Sequence, residues 1–154
     1  MTYPPLLQGE NEAQYRSSFE KTYCRGPITT FDGIEVRFRK QDFDHCFFES
    51  ESAKDDTFSA KRAERLWWIR AALQDAGAEL YVGWDNKRKC LVQNRRVAIV
   101  VLNYVVIIRF TGTKRAAFVT AFVAGKVTLM KIRRGPRAHK KTADSPGGLS
   151  DKPF

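Results

Sequence analysis

Between Val97 and Val123 the chain carries its longest apolar stretch, broken once by Asn103 and again by Thr111-Gly112-Thr113-Lys114. Short apolar runs bounded by such breaks read as strands, and a four-residue turn containing glycine joins two of them as a hairpin. The run from Val97 to Ile108 falls short of the roughly 20 residues a membrane-spanning helix needs. The stretch therefore predicts three antiparallel strands, Val97–Leu102, Tyr104–Phe110 and Ala116–Val123, at the centre of a sheet. With residues 111–114 in the turn, Arg109 is expected opposite Ala116, Ile107 opposite Phe118 and Val105 opposite Thr120, so that Arg109 and Thr120 share a face with Asn103. A slip of one residue would move one strand's set to the other side.

Helical signals lie upstream. Asn11 to Cys24 reads as a helix before the Gly26-Pro27 break, preceded by an unstructured lead of about nine residues. Thr30 to Lys40 turns at Asp32-Gly33 and then alternates Ile34, Val36 and Phe38 with Arg37 and Arg39, a strand with a cationic outer face. Asp42 is placed to cap a short helix, Phe43–Ser50, with Phe43, Cys46 and Phe47 on one side and His45 off it. After the polar loop Glu51–Thr57, Ser59 caps a long helix, Ala60–Ala76, ending at Gly77. Leu66, Ile69, Leu73 and Ala76 form its apolar stripe; Arg62 sits one turn back, and Arg65 about 60° to the side. Glu79–Gly83 reads as a strand, Asp85–Arg88 as a charged turn, Cys90–Val92 as a short return, and Lys126–Ile132 as a last strand or helix. The expected fold is α+β, with N-terminal helices packed on a four- to five-stranded antiparallel β-sheet. Residues 1–25 would be an extension, 26–136 the domain, and 137–154 a basic run followed by a disordered tail rich in Pro, Gly and Ser.

At 154 residues the chain suits a single domain, and 27 Lys+Arg against 17 Asp+Glu leave a net charge of +10. So large an excess gathers polyanions at the surface. With no candidate span for a membrane, nucleic acid is the expected partner. The N-terminus shows no basic-then-apolar leader, which predicts a cytoplasmic protein. Cys24, Cys46 and Cys90 share no close spacing and fit neither a disulfide framework nor a zinc knuckle. No cofactor or metal motif is present; Asp85 with Lys87 is a weak acid-x-lysine pattern lacking an upstream carboxylate.

The candidate site residues are scattered. Arg62 and Arg65 lie near a helix N-terminus, where free amides already favour an anion and a guanidinium fork offers two parallel hydrogen bonds to phosphate. Their structural alternative is pairing with Asp55, Asp56 or Glu49. His139 falls in the basic run, which leaves His45 as the one imidazole held within the fold and hence the candidate general base or acid. A lone His beside Phe47 and Phe48 is more often a packed residue. For Thr120 the plain account is β propensity, for Arg109 an edge salt bridge, and for Trp67 and Trp68 packing.

The succession DFDHCFFES, FSAKRAERLWWI, YVGWD, RRV, NYVVIIR, AAFVTAF and KIRRGP, from about Ile34 to Pro136, resembles the phage- and prophage-encoded nucleases related to barnase, EndoU, colicin ribonucleases and RelE toxins. The resemblance implies helices on an antiparallel sheet and metal-independent RNA cleavage by attack of the ribose 2′-hydroxyl. It implies catalytic roles for His45, Arg62, Arg65, Arg109 and Thr120. Lys61, Tyr104, Lys131, Arg133 and Arg134 are the further contacts expected for RNA. A second ordered histidine, found in relatives such as EndoU, is missing, so the complementary acid would be Arg, Lys or Tyr104. A nuclease of this kind also calls for a neutralising antitoxin or immunity protein. The rival expectation is a basic RNA-binding module without catalysis.

Overall fold

The computed structural model describes residues 3–54, 56–85, 90–91 and 95–138. The expected turn through residues 86–88, Val92 and the tail from residue 139 onward lie outside these. Helix α1, Glu12–Tyr23, opens on Asn11, whose side chain accepts the Gln14 N–H at 3.0 Å. Tyr15, Phe19 and Tyr23 recur every four residues and are buried. Phe19 meets the rings of Tyr23, Phe38, Phe43 and Phe47 at centroid distances of 5.3–6.1 Å. Residues 1–25, read from the sequence as an extension, thus supply aromatic side chains to the main core. The lead is anchored too: the Tyr3 hydroxyl donates to Asp75 at 2.8 Å, the Trp68 indole N–H to the Pro4 carbonyl at 2.9 Å, and the Leu7 N–H to the Glu64 carbonyl at 2.7 Å.

Strands β1, Ile28–Thr29, and β2, Glu35–Arg37, flank a turn in which Gly33 takes φ +89°, a conformation L side chains rarely adopt. Helix α2, Asp42–Phe47, begins one residue earlier than expected. Asp42 is not its cap: the buried carboxylate accepts the Arg39 N–H at 2.8 Å and the Arg39 guanidinium at 3.2 Å, holding the approach to the helix. The helix stops at Phe47 because β3, Phe48–Glu49, pairs with β4, Thr57–Phe58.

The long helix foreseen over residues 60–76 is two: α3, Ala60–Ala63, capped by Ser59 as expected, and α4, Leu66–Leu73. The Glu64 carbonyl bonds to Leu7 at the break. Inside α4 the Tyr23 hydroxyl donates to the Leu66 carbonyl at 2.6 Å and accepts the Arg70 N–H at 3.0 Å, so it stands within an i→i+4 bond of the ladder. Leu66, Ile69 and Leu73 are buried as read, whereas Ala76 lies beyond the helix and is exposed.

Next come β5, Glu79–Val82; β6, Trp84–Asp85; β7, Cys90–Leu91; β8, Arg96–Val101; β9, Tyr104–Phe110; β10, Arg115–Val123; and α5, Lys126–Arg133, a helix rather than a strand. The main sheet has six strands in the order β1-β2-β10-β9-β8-β5. The class is α+β, but the sheet is larger than the four to five strands expected, and it is mixed: β2 runs parallel to β10. A hairpin imposes antiparallel pairing on β8, β9 and β10. No short turn constrains β2, since α2 to α4 and strands β3 to β9 separate it from β10 in the chain.

The β9–β10 register also departs from expectation. Arg109 faces Ala117, Ile108 faces Phe118, and after a bulge at Val119, Ile107 faces Thr120 and Val105 faces Phe122. The turn sets the first pairs one residue away from those read, and the bulge inserts a further residue. Thr120 still falls on the face of Ile107 and Arg109. One face of the sheet packs Val36, Phe38, Val106, Ile108 and Phe118 beneath α1 to α4. The other packs Ala98, Val100, Val105 and Ile107 with Tyr81, Trp84 and Ile132 of α5.

Candidate nucleic-acid interface

Strand β2 pairs with β10 only over Arg115–Ala117, so the edge of β10 from Phe118 to Val123 is left to α2. There the Cys46 thiol donates to the Ala121 carbonyl at 3.3 Å, and burial pushes that thiol up to about 12. A hollow of about 450 Å³ opens beside this edge, lined by His45, Lys61, Arg62, Arg65, Tyr104 and Thr120 among others. A second, of about 520 Å³, takes in His45, Arg62 and Thr120 again and adds Arg39, Lys54, Arg109 and Asp85. The three shared side chains make the two hollows one continuous cationic depression.

Each side chain reaches it for a local reason. His45 is exposed because Phe43, Cys46 and Phe47 take up the core side of α2. Arg62, in the last turn of α3, donates from Nη1 to the Phe48 carbonyl at 2.9 Å; a backbone carbonyl, and neither Glu49 nor Asp56, fixes it. Arg65 approaches Glu64 at 3.6 Å and lies over the Trp68 ring at 5.2 Å. Asp56 is occupied elsewhere, accepting the N–H groups of Glu51, Ser52 and Ala53 at 2.8–2.9 Å, and these bonds hold its carboxyl down to about 2. They also close the loop that brings Lys54 to the second hollow. Asp55 lies outside the described residues.

Tyr104 forms part of the wall but is only 2% exposed, packed edge-on against Trp68 at 5.6 Å. Burial raises its phenol well above the usual tyrosine range, so it holds its proton. Lys131, Arg133 and Arg134 are not brought to the depression. They lie on and just after α5, where the Arg133 guanidinium pairs with Glu79 at 3.1 Å and donates to the Leu102 carbonyl at 3.4 Å. Glu79, which accepts from the Tyr81 hydroxyl and from Arg133, titrates below the ordinary range.

A row of arginines went unread as a row in the sequence. Arg96 stands opposite Arg109, Arg109 opposite Ala117, and Ala117 beside Arg37, so one line across β8, β9, β10 and β2 carries three guanidinium groups on the face opposite the main core. Like charges directly opposite each other destabilise a sheet. The buried Asp85 is a carboxylate in the hollow that Arg96 and Arg109 line. The alternation of Arg37 and Arg39 against Ile34, Val36 and Phe38 was a visible signal, but the row needs the inter-strand register. Lys87, the partner of Asp85 in the weak metal pattern, is outside the described residues. Among the described residues no three His, Cys, Asp or Glu side chains gather as metal ligands, and no helix is long and apolar enough to cross a membrane. Set against protein-family models, curated proteins and solved structures, the chain matches none.

Proposed function

We propose that this chain binds the phosphodiester backbone of RNA in the depression along β10 and cleaves it without a metal ion. One observation carries the reading: His45, Arg62 and Thr120, drawn from three separate elements, line both hollows. His45 takes the proton of a ribose 2′-hydroxyl, and the oxygen attacks the adjacent phosphorus. Negative charge grows on the non-bridging oxygens, where Arg62, Arg65 and Arg109 stabilise it and the Thr120 hydroxyl donates. The 5′-oxygen leaves with a proton from solvent or from Lys61, giving a 2′,3′-cyclic phosphate and a 5′-hydroxyl. These roles are those implied by the resemblance to the barnase-, EndoU- and RelE-related nucleases, and a neutralising partner protein belongs to the same proposal.

A binding module without catalysis is the second reading. The burial of Tyr104 favours it, because a phenol only 2% exposed is poorly placed to reach a leaving oxygen, which removes one of the candidate acids. Incubation of the protein with total RNA in EDTA separates the two. Cleavage by the wild type and its loss in His45→Ala, with RNA binding retained, supports the enzyme; binding without cleavage by the wild type supports the module.

A further inference from the structure

We propose that the face made by α5 and the tip of the β8–β9 hairpin docks an acidic amphipathic helix of a partner protein, an inference that goes beyond the RNA reading and stands apart from it. Among the described residues five large apolar side chains are exposed, and four of them, Leu102, Val123, Val127 and Met130, belong to this face. The Arg133 guanidinium donates to the Leu102 carbonyl and the Ala124 N–H to the Asn103 carbonyl at 2.8 Å, so the hairpin tip, the end of β10 and α5 adjoin. Single exposed apolar residues are ordinary, whereas a cluster of them rimmed by charge marks an interaction site.

These side chains serve neither core. Ile132 is fully buried and Leu129 packs against the second core, so the inward face of α5 already anchors the helix. At 100° per residue Val127 and Met130 stand about 140° and 160° around the helix from Ile132, on its outward side. They are 64% and 55% exposed. Leu102 is 77% exposed and takes φ 56°, a left-handed backbone that strains a leucine and suits Gly or Asn. A side chain that is neither buried nor relaxed where it stands points to a use outside the fold.

Charge and shape name the occupant. Lys126, Lys131 and Arg134 are exposed around Val127 and Met130, and a hollow of about 490 Å³ on the helix is lined by Leu129 and Met130 together with Lys126, Arg133 and Arg134. An apolar centre within a cationic rim is complementary to apolar anchors flanked by Asp and Glu. A second copy of this chain would set like charges against each other, at a net +10 on each. A helix that lies on a membrane carries Trp, Phe or Leu on its apolar face, whereas the outward apolar residues of α5, eight residues long, are a Val and a Met. A phosphate backbone would use the cations and leave the aliphatic side chains without a role. Val127 and Met130 stand at i and i+3, a ridge into which another helix fits its own apolar stripe, and the unbranched Met adapts to what it meets.

Three synthetic peptides of about 20 residues, long enough to form a helix alone, are the probes. The first has Leu at every third or fourth position with Glu and Ala between, the second has Ser for each Leu, and the third has Lys for each Glu. Titration calorimetry with the full chain is expected to show the first binding at least about tenfold tighter than either twin. The double variant Val127→Ser with Met130→Gln, which alters no charge and no buried residue, weakens that binding about fivefold or more at an unchanged melting temperature. Leu102→Asn weakens it too without lowering the melting temperature, while Arg109→Ala leaves it within about twofold. Equal binding of the Ser peptide reduces the face to non-specific charge, and an Arg109→Ala effect as large as that of the double variant moves the peptide into the depression along β10; either result overturns the proposal. So does failure of the first peptide to bind, dimerisation that the double variant abolishes, or tighter binding to phosphatidylserine–phosphatidylcholine vesicles than to the peptide. None of these outcomes alters the reading of RNA cleavage, which is measured separately.

Discussion

Two regions of this molecule are rich in cations, and they are built differently. Along the open edge of β10, His45, Lys54, Arg62 and Arg109 come from α2, a loop, α3 and β9 to one depression. The other cluster, Lys126, Lys131, Arg133 and Arg134, belongs to one short helix and its exit, around the exposed Val127 and Met130 and the hairpin tip Leu102. Arg133 there is committed to Glu79. In sequence the second cluster is the denser, yet it diverges around a helix while the first converges on a cavity. Charge density along the chain therefore measures long-range attraction, and convergence of side chains from separate elements measures a site.

The widest contrast is in catalysis. His45→Ala should lower RNA cleavage by about 10²–10⁴-fold, the usual worth of a positioned base, measured as initial rates on a labelled oligonucleotide. A loss under threefold would remove His45 from the chemistry and favour the binding module. Arg62→Lys keeps the charge but loses the fork, and should lower the rate by roughly tenfold with no matching change in melting temperature. Wild-type turnover with Lys at that position would show that the fork is not used.

Smaller effects sharpen the distinction between the two clusters. Asp56→Ala should weaken RNA binding a few-fold by opening the loop that carries Lys54, measured by titration of a labelled oligonucleotide. The same loop responds to acid. The Asp56 carboxyl is held below its ordinary 3.8 at about 2, so its contribution is present above 3.8 and is lost as the pH falls from there through about 2. Amide resonances of Ser52 and Ala53 should therefore shift within that window and not above it; a transition near pH 5 would mean another group holds the loop. Smallest of all, Lys131→Ala with Arg134→Ala should change RNA affinity by less than about twofold at 0.15 M salt, where exposed charges beyond the contact are screened. A tenfold loss would move the binding surface to α5 and erase the contrast.

Much of the fold was legible because it depends on neighbours in the chain. The hairpin strands, the Ser59 cap, the burial of Leu66, Ile69 and Leu73, and the outward turn of His45 follow from period and local hydrogen bonding. The break between α3 and α4 was not legible, because its causes, the bond from Leu7 to Glu64 and the Tyr23 hydroxyl inserted in the ladder, come from residues more than 40 positions away. Arg62, read as facing inward over the sheet, instead reaches the Phe48 carbonyl of β3.

By itself the sequence determined where most helices and strands lie and which side of each seeks the core, though not that Phe48–Glu49 is a strand or that Lys126–Arg133 is a helix, since backbone propensity and hydrophobic period act over a few residues. Only the tertiary structure decided that β2 runs parallel to β10, that a bulge at Val119 sets Thr120 on the face of Arg109, and that three arginines stand in line across four strands. Register between distant strands is a property of packing and of the twist of the whole sheet. No local pattern of residues encodes it.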